Sequence, residues 1–135
     1  MRISFGELRI GEAARQRIQT CLDKHWVSEG ENVAEFERSF ASHFGYAHAV
    51  ATSSGTDAVL VACASLYDSG AERGDEIIVP ACSFVATSNA VLAAGFMPRF
   101  IDVDRATYNI DPSQIEAAIT PRTRAILVVH TMGKP

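Results

Sequence analysis

The segment 52–57, with the sequence TSSGTD, carries the strongest chemical signal in the chain. It lies between a short β-branched run and an apolar helical pattern, so it marks the start of a helix. A helix start has unpaired backbone N–H groups and the positive end of the helix dipole, which together favour a phosphate. Gly55 lets the backbone approach closely, and Ser54 and Thr56 offer hydroxyl donors. The alternative is that Ser54 caps the helix and Asp57 completes a capping box.

A second candidate, Phe84, follows the next apolar run of the chain. Ligands of open α/β sheets bind beyond the carboxyl ends of the strands, so we expect Phe84 on the same rim as Gly55 and Thr56. An aromatic ring there could stack on a flat heterocycle; the alternative is ordinary packing at a helix start. The chain has neither GxGxxG nor GxxxxGK[ST], so neither a dinucleotide fingerprint nor a P-loop is predicted.

Other polar residues give weaker signals. Asp102 and Asp104 follow another predicted strand and are either ligands or turn-forming acids, and His130 at the end of the last strand is equally ambiguous. The three cysteines and four histidines lack CxxC or HxxxH spacing, so we predict neither a metal site nor a disulfide framework. We expect the cysteines to be small buried side chains in a reducing cytoplasm.

The composition excludes several classes of protein. With 47% apolar and 21% charged residues, the 135-residue chain has an average globular composition and is not predicted to be disordered. Its net charge is −4 and it has no block of basic residues, so we expect no nucleic-acid or membrane partner. The longest apolar runs fall far short of the roughly 20 residues that span a bilayer. The first seven residues lack an apolar signal core.

The elements that position these residues fall into two predicted domains. Residues 1–47 form a helical segment, with helices predicted over 13–22 and from Val33 to Gly45. In the second helix Phe36, Phe40 and Phe44 recur at helical spacing, which predicts a core-facing stripe.

Residues 48–135 form an incomplete α/β domain in which predicted strands (49–52, 76–79, 99–103 and 124–130) alternate with predicted helices (56–67, 84–94 and 112–119). This order predicts an α/β fold with a mostly parallel sheet flanked by helices. The runs 77–79 and 126–129 are continuously apolar, which predicts strands buried on both faces. The helix through 58–64 is apolar nearly all round and is predicted to lie deep.

In this order, the motifs resemble those of the DegT/DnrJ/EryC1/StrS group, the pyridoxal-phosphate-dependent sugar aminotransferases of fold type I. The matching stretches are 26–30 (WVSEG), 35–37 (EFE), 54–58 (SGTDA), 74–78 (GDEII), 83–87 (SFVAT), 102–104 (DVD), 109–112 (NIDP), and 129–130 (VH) followed by Gly133. Each piece is weak, but the ordered set is specific and covers essentially the whole chain.

The resemblance implies a partial large domain of the PLP-transferase fold type I. It implies that Gly55 and Thr56 hold the phosphate of pyridoxal 5'-phosphate, with Ser54 beside them, and that Phe84 stacks on the pyridine ring. Members of the group are cytoplasmic homodimers. They move an amino group, commonly from glutamate, to a keto group on a nucleotide-linked sugar.

The chain departs from the group in what it lacks. Full members run to more than twice this length, and the lysine that forms the Schiff base and the aspartate that pairs with the pyridine nitrogen lie downstream of the stretch matched here. Lys134 follows Gly133 where the group has Gly-Gln-Pro, and Lys24 lies in the helical segment, so neither is assigned as the catalytic lysine. We therefore assign no catalytic residue. We expect an N-terminal fragment that is inactive alone, ending at an apolar strand with an exposed edge.

Three alternatives stay open. Some relatives of the group use pyridoxamine phosphate for sugar dehydration, and the residue that distinguishes them lies beyond Pro135. The chain could also be a non-catalytic remnant of a disrupted gene. A nicotinamide-binding βαβ protein is disfavoured because GxGxxG is missing.

Overall fold

A computed structural model describes residue 6 and residues 8–133 of the chain. The chain divides into two compact units, with the division between Ala51 and Thr52. The division into domains 1–47 and 48–135 remains a prediction. Lys134 lies outside the described residues. No helix in the described part of the chain is long and apolar enough to cross a membrane.

The first unit contains two helices, as the periodicity predicts. They are α1 (Glu12–Asp23) and α2 (Glu31–Phe44). Helix α2 ends at Gly45, which has a φ of +74° and donates its N–H to the carbonyl of Ala41. Because a residue with a side chain is strained in this left-handed conformation, the glycine fixes the end of the helix.

The aromatic stripe of α2 forms, but the prediction that it faces a core is wrong. The ring centroids of Phe36 and Phe40 lie 5.8 Å apart, and those of Phe40 and Phe44 lie 4.6 Å apart. All three side chains are nevertheless exposed, with Phe36 and Phe44 each at 56%. Helical spacing decides which side chains share a face, whereas burial needs a second apolar surface to cover that face.

The second unit is an α/β structure with a parallel three-stranded sheet, which confirms the predicted fold class. The strands are β1 (Glu76–Pro80), β2 (Met97–Ile101) and β3 (Thr123–Ile126), in the order β2-β1-β3. The helices are α3 (Gly55–Ala64), α4 (Ala86–Ala93) and the short α5 (Ile115–Ala118).

Strand β1 is the centre of this unit and is buried on both faces, as predicted. One face places Ile77 and Val79 in a core with Val91 of α4 and Phe96. The other face places Ile78 in a second cluster with Ile101 and Ile110. Two packed faces favour apolar residues on both sides of the strand, which is why residues 77–79 show no alternation.

The predicted strand at 49–52 is not a strand in the structure. The backbone N–H of Ala51 instead donates to the carboxylate of Glu37, at 2.8 Å. A strand exists only where a second strand takes up its backbone hydrogen bonds, and a β-branched run alone cannot supply that partner.

Three further burial predictions are wrong in whole or in part. Strand β3 is an edge strand with alternating exposure, and Ile126 is 42% exposed. Helix α3 is only partly buried, with Cys63 inside and Val61 51% exposed. Of the other cysteines, Cys21 is half-buried and Cys82 is exposed. Burial depends on how many neighbouring elements cover a helix or strand, and this cannot be read from its apolar composition alone.

Candidate functional site

Helix α3 begins in a closed hydrogen-bonded turn. Ser54 is the N-cap, with extended backbone angles, and its Oγ accepts the N–H of Asp57 at 3.1 Å. The Asp57 carboxylate accepts hydrogen bonds from the hydroxyls of Ser54, at 2.9 Å, and of Ser53. These donors, Ser53 first, hold the pKa of the Asp57 carboxyl below its ordinary value. The cap that the sequence offered as an alternative to phosphate binding is therefore present.

The same helix start leaves other donors free. Within the described chain, the backbone N–H groups of Gly55 and Thr56 and the hydroxyl of Thr56 have no hydrogen-bond partner. A Cβ atom added to Gly55 would meet no atom within 4 Å, and Gly55 does not have a positive φ. These unpaired donors lie at the positive end of the helix dipole, with open space beside Gly55, an arrangement that can receive an anion.

The C-terminal ends of α3 and α4 are linked by a side-chain hydrogen bond. Tyr67, just beyond α3, donates its hydroxyl to the carbonyl of Ala94 at the end of α4, at 2.9 Å. Its ring also stacks on Phe96 with a centroid distance of 4.8 Å. Helices α3 and α4 pack against each other, and each leads into a strand of the same parallel sheet, α3 into β1 and α4 into β2. Together with the contact at their C-terminal ends, this indicates that the two helices run in the same direction. Their N-terminal ends therefore lie at the same edge of the unit.

Phe84 lies at that edge. The loop 81–85 connects the end of β1 to the start of α4, and the Phe84 side chain within it is 80% exposed. The structure thus brings Phe84 to the same edge as Gly55 and Thr56, at the carboxyl end of β1. This is the edge at which open α/β sheets bind their ligands.

The comparison with known proteins identifies the family. Residues 8–135 match the sequence profile of the DegT/DnrJ/EryC1/StrS aminotransferase family. The chain belongs to this family. It is 39% identical over 134 residues to GDP-perosamine synthase of Caulobacter vibrioides, covering 98% of this chain and 35% of that protein. It is 45% identical over 107 residues to 3-oxo-glucose-6-phosphate:glutamate aminotransferase of Bacillus subtilis, covering 79% of this chain and 24% of that protein.

Solved structures of relatives share the fold. GDP-4-keto-6-deoxymannose-3-dehydratase, with a trapped PLP-glutamate geminal diamine, has a TM-score of 0.91 and 35% identity to this chain. The match covers 99% of this chain and 36% of the dehydratase. The predicted fold, part of a PLP-transferase fold type I large domain, is confirmed. The chain spans about a third of the length of GDP-perosamine synthase and of the dehydratase.

Two other candidates from the sequence act as turn-forming acids in this family member. Asp104 accepts hydrogen bonds from the N–H groups of Ala106 and Thr107 and from the Thr107 hydroxyl. Asp102 accepts the N–H of Val103 at 2.8 Å. His130 is exposed, and its carbonyl accepts a backbone hydrogen bond in the turn that follows. We assign no ligand role to these three residues.

The sequence reasoning missed the hydrogen bond of Ser53 and a pair of buried acids. Asp75 and Glu76, at the start of β1, are 6% and 7% exposed. Asp75 pairs with Arg124, and Glu76 pairs with Arg122 at 2.9 Å. They lie at the edge opposite to Phe84, so they serve the fold. The only signal in the sequence was the presence of two acids directly before an apolar run, a pattern that also occurs in ordinary loops.

The first unit has a cleft of about 720 Å³ between α1 and α2. The two cationic side chains that line this cleft already form ion pairs within the unit. Arg17 pairs with Glu35 at 2.9 Å, and Lys24 pairs with Glu31 at 3.2 Å. With its positive charges neutralised within the unit, the cleft has no built-in attraction for an anion.

Proposed function

We propose that the second unit binds the phosphate and ring of pyridoxal 5'-phosphate. The N–H groups of Gly55 and Thr56 and the Thr56 hydroxyl hold the phosphate, Ser54 lies beside it as the helix cap, and Phe84 stacks on the ring. The protein that contains this chain transfers an amino group from glutamate to the keto group of a nucleotide-linked sugar. It works as a cytoplasmic homodimer.

Gly55 is the observation that carries this proposal. Its backbone does not need the left-handed region, and a Cβ would meet no protein atom within 4 Å. The fold by itself would therefore accept alanine, which restricts the unfolded chain and stabilises a protein by about 0.4–1 kcal/mol at compatible positions. The backbone conformation therefore does not explain why residue 55 is a glycine. A ligand that comes close to the backbone and binds the free N–H groups of Gly55 and Thr56 does explain it.

The donors present suit the chemistry of the cofactor. Backbone N–H groups at a helix start and a threonine hydroxyl are typical partners of a phosphate dianion. An exposed aromatic side chain at the same edge suits a flat pyridine ring. When bound, the cofactor supplies the carbonyl that takes up the amino group and the ring that withdraws electrons. The residues of this chain hold and orient it.

The chain alone is inactive in this proposal. Among the residues that the structure describes, Lys24 is the only lysine, and it lies in the first unit, paired with Glu31 at 3.2 Å. The groups that move protons and bind the cofactor covalently then come from other parts of the protein, as does most of the sugar contact.

The names of the relatives support the substrate class and also a second candidate function. One relative is named as a synthase of a GDP-linked amino sugar, and another as a glutamate aminotransferase. The solved relative is a dehydratase that acts on a GDP-linked keto sugar. A pyridoxamine-phosphate-dependent sugar dehydratase is therefore the second candidate. Product analysis of the complete protein with a nucleotide-linked keto sugar and glutamate separates them: an amino sugar supports the transaminase, and a keto sugar that has lost one further hydroxyl supports the dehydratase.

The substitution Gly55→Ala tests the phosphate site. We expect the free energy of unfolding to stay unchanged or rise by up to about 1 kcal/mol. The affinity for pyridoxal phosphate, measured by titration of the complete protein, should fall about tenfold or more because the new methyl group overpacks the phosphate position. Gly11→Ala is the control at a second helix start, since Gly11 is the N-cap of α1 and also has open space around it. Wild-type affinity in Gly55→Ala would rule out a phosphate at this turn.

A further inference from the structure

The Ser54 hydroxyl is already committed within the protein. It donates its only proton to the Asp57 carboxylate, at 2.9 Å, while its oxygen accepts the Asp57 N–H, at 3.1 Å. The Ser53 hydroxyl donates to the same carboxylate oxygen. A hydroxyl has one proton to donate. In this arrangement neither serine hydroxyl has a proton left for a phosphate.

The Asp57 carboxylate also brings a negative charge to the start of α3. It folds back onto the N-cap residue, Ser54, so the charge lies at the positive end of the helix dipole. A carboxylate in this position is stabilised by the dipole. A phosphate that binds the N–H groups of Gly55 and Thr56 on the same turn then meets a like charge nearby, which lowers its affinity.

We propose that Asp57 limits the anion affinity of this helix start by withholding the Ser53 and Ser54 hydroxyls and by opposing a second negative charge. This inference rests on the proposed function, in which the same turn holds the cofactor phosphate. A phosphate alone is then held weakly. A phosphate ligand with an aromatic ring that stacks on Phe84 binds more tightly. It therefore stays bound at concentrations at which inorganic phosphate dissociates.

The substitution Asp57→Asn in the complete protein tests this inference. Asparagine keeps the size of the side chain and an oxygen that accepts a serine hydroxyl, but removes the charge. We expect the dissociation constants of inorganic phosphate and of pyridoxamine phosphate, measured by calorimetric titration, to fall about threefold or more. Unfolding curves check that the variant is folded. If it is not, Asp57→Ala removes the same charge, and the same tightening is expected.

Asp68→Asn is the matched control. It removes the same charge from the turn Ser65–Ser69, which follows the other end of α3. Asp57 and Asp68 are eleven residues apart along α3 and this turn, roughly 16 Å at the rise of a helix, which exceeds the screening length of about 8 Å at physiological salt. Its phosphate affinity should equal that of the wild type. Equal tightening in both variants would mean that only net charge matters, and would overturn the role of Asp57.

Thr56→Val separates failure of this inference from failure of the proposed function. If Thr56→Val weakens phosphate binding and Asp57→Asn strengthens it, both proposals are supported. If Thr56→Val weakens binding but Asp57→Asn leaves it unchanged or weaker, the inference about Asp57 is wrong and the phosphate site stands. If Thr56→Val has no effect, the phosphate does not bind at this turn and both proposals fail.

Discussion

The hydroxyl of Tyr67 lies over Gly95, 2.8 Å from the position that a Cβ atom at residue 95 would occupy. The same hydroxyl donates to the carbonyl of Ala94, and the tyrosine ring stacks on Phe96. This close approach joins the C-terminal ends of α3 and α4. Together with the packing of α3 against α4, this contact places the starts of the two helices at one edge of the unit.

Gly95→Ala should weaken this junction. Gly95 has a φ of +92°, and the new methyl group would also collide with the Tyr67 hydroxyl. Gly70→Ala is the control, because Gly70 has a similar φ of +85° with no atom within 4 Å. In urea unfolding we expect a loss of about 1–2 kcal/mol for Gly70→Ala from the left-handed backbone. Gly95→Ala should lose about 1–3 kcal/mol more from overpacking. An equal loss of unfolding free energy in the two variants would show that the contact with Tyr67 does not contribute to stability.

Phe84→Ala should separate the ring contact from the phosphate contact. The side chain is 80% exposed, so its removal should change the free energy of unfolding by less than about 0.5 kcal/mol. The affinity of the complete protein for pyridoxamine phosphate should fall by about 0.5–1.5 kcal/mol from lost stacking, with inorganic phosphate binding unchanged. Phe100→Ala, at a 57% exposed side chain of β2, is the control and should leave both affinities intact. Loss of phosphate binding in Phe84→Ala would contradict the assigned role.

Asp75 should contribute to stability against acid. The N–H of Glu72, and then Arg124, hold the pKa of the Asp75 carboxyl below its ordinary value of 3.8. Its contribution is therefore fully present above about pH 4 and is lost as the pH falls from 3.8 through the lowered pKa of the folded state. Asp75→Asn should make the free energy of unfolding less dependent on pH in that window. Arg124→Met should keep part of the dependence, since the Glu72 hydrogen bond remains. An unchanged acid profile in Asp75→Asn would show that this carboxyl is not linked to folding.

Several features of the fold could be predicted because they depend on neighbouring residues in the chain. The two helices of the first unit follow from their periodicity, and the end of α2 follows from Gly45. The cap of α3, in which the Ser54 hydroxyl oxygen accepts the Asp57 N–H, follows from a spacing of three residues. Strand β1 could be recognised from residues 77–79, because a run buried on both faces is continuously apolar.

The features that could not be predicted depend on neighbours distant in sequence. The exposure of Phe40 on α2, the absence of a strand at 49–52 and the exposed face of β3 are all of this kind. In each case the local pattern was interpreted correctly as apolar or extended. What failed was the assumption that a partner covers it.

By itself, the sequence determined the family, the parallel α/β class and the type of donor at the start of α3, because motifs, periodicity and caps are encoded over a few consecutive residues. Only the tertiary structure decided that Phe84 and Gly55 share one edge, since that depends on the parallel packing of α3 and α4. It also decided that the Ser54 proton points to Asp57 rather than to an open site. The direction of a hydroxyl and the packing of two helices depend on three-dimensional contacts, which a linear pattern does not contain.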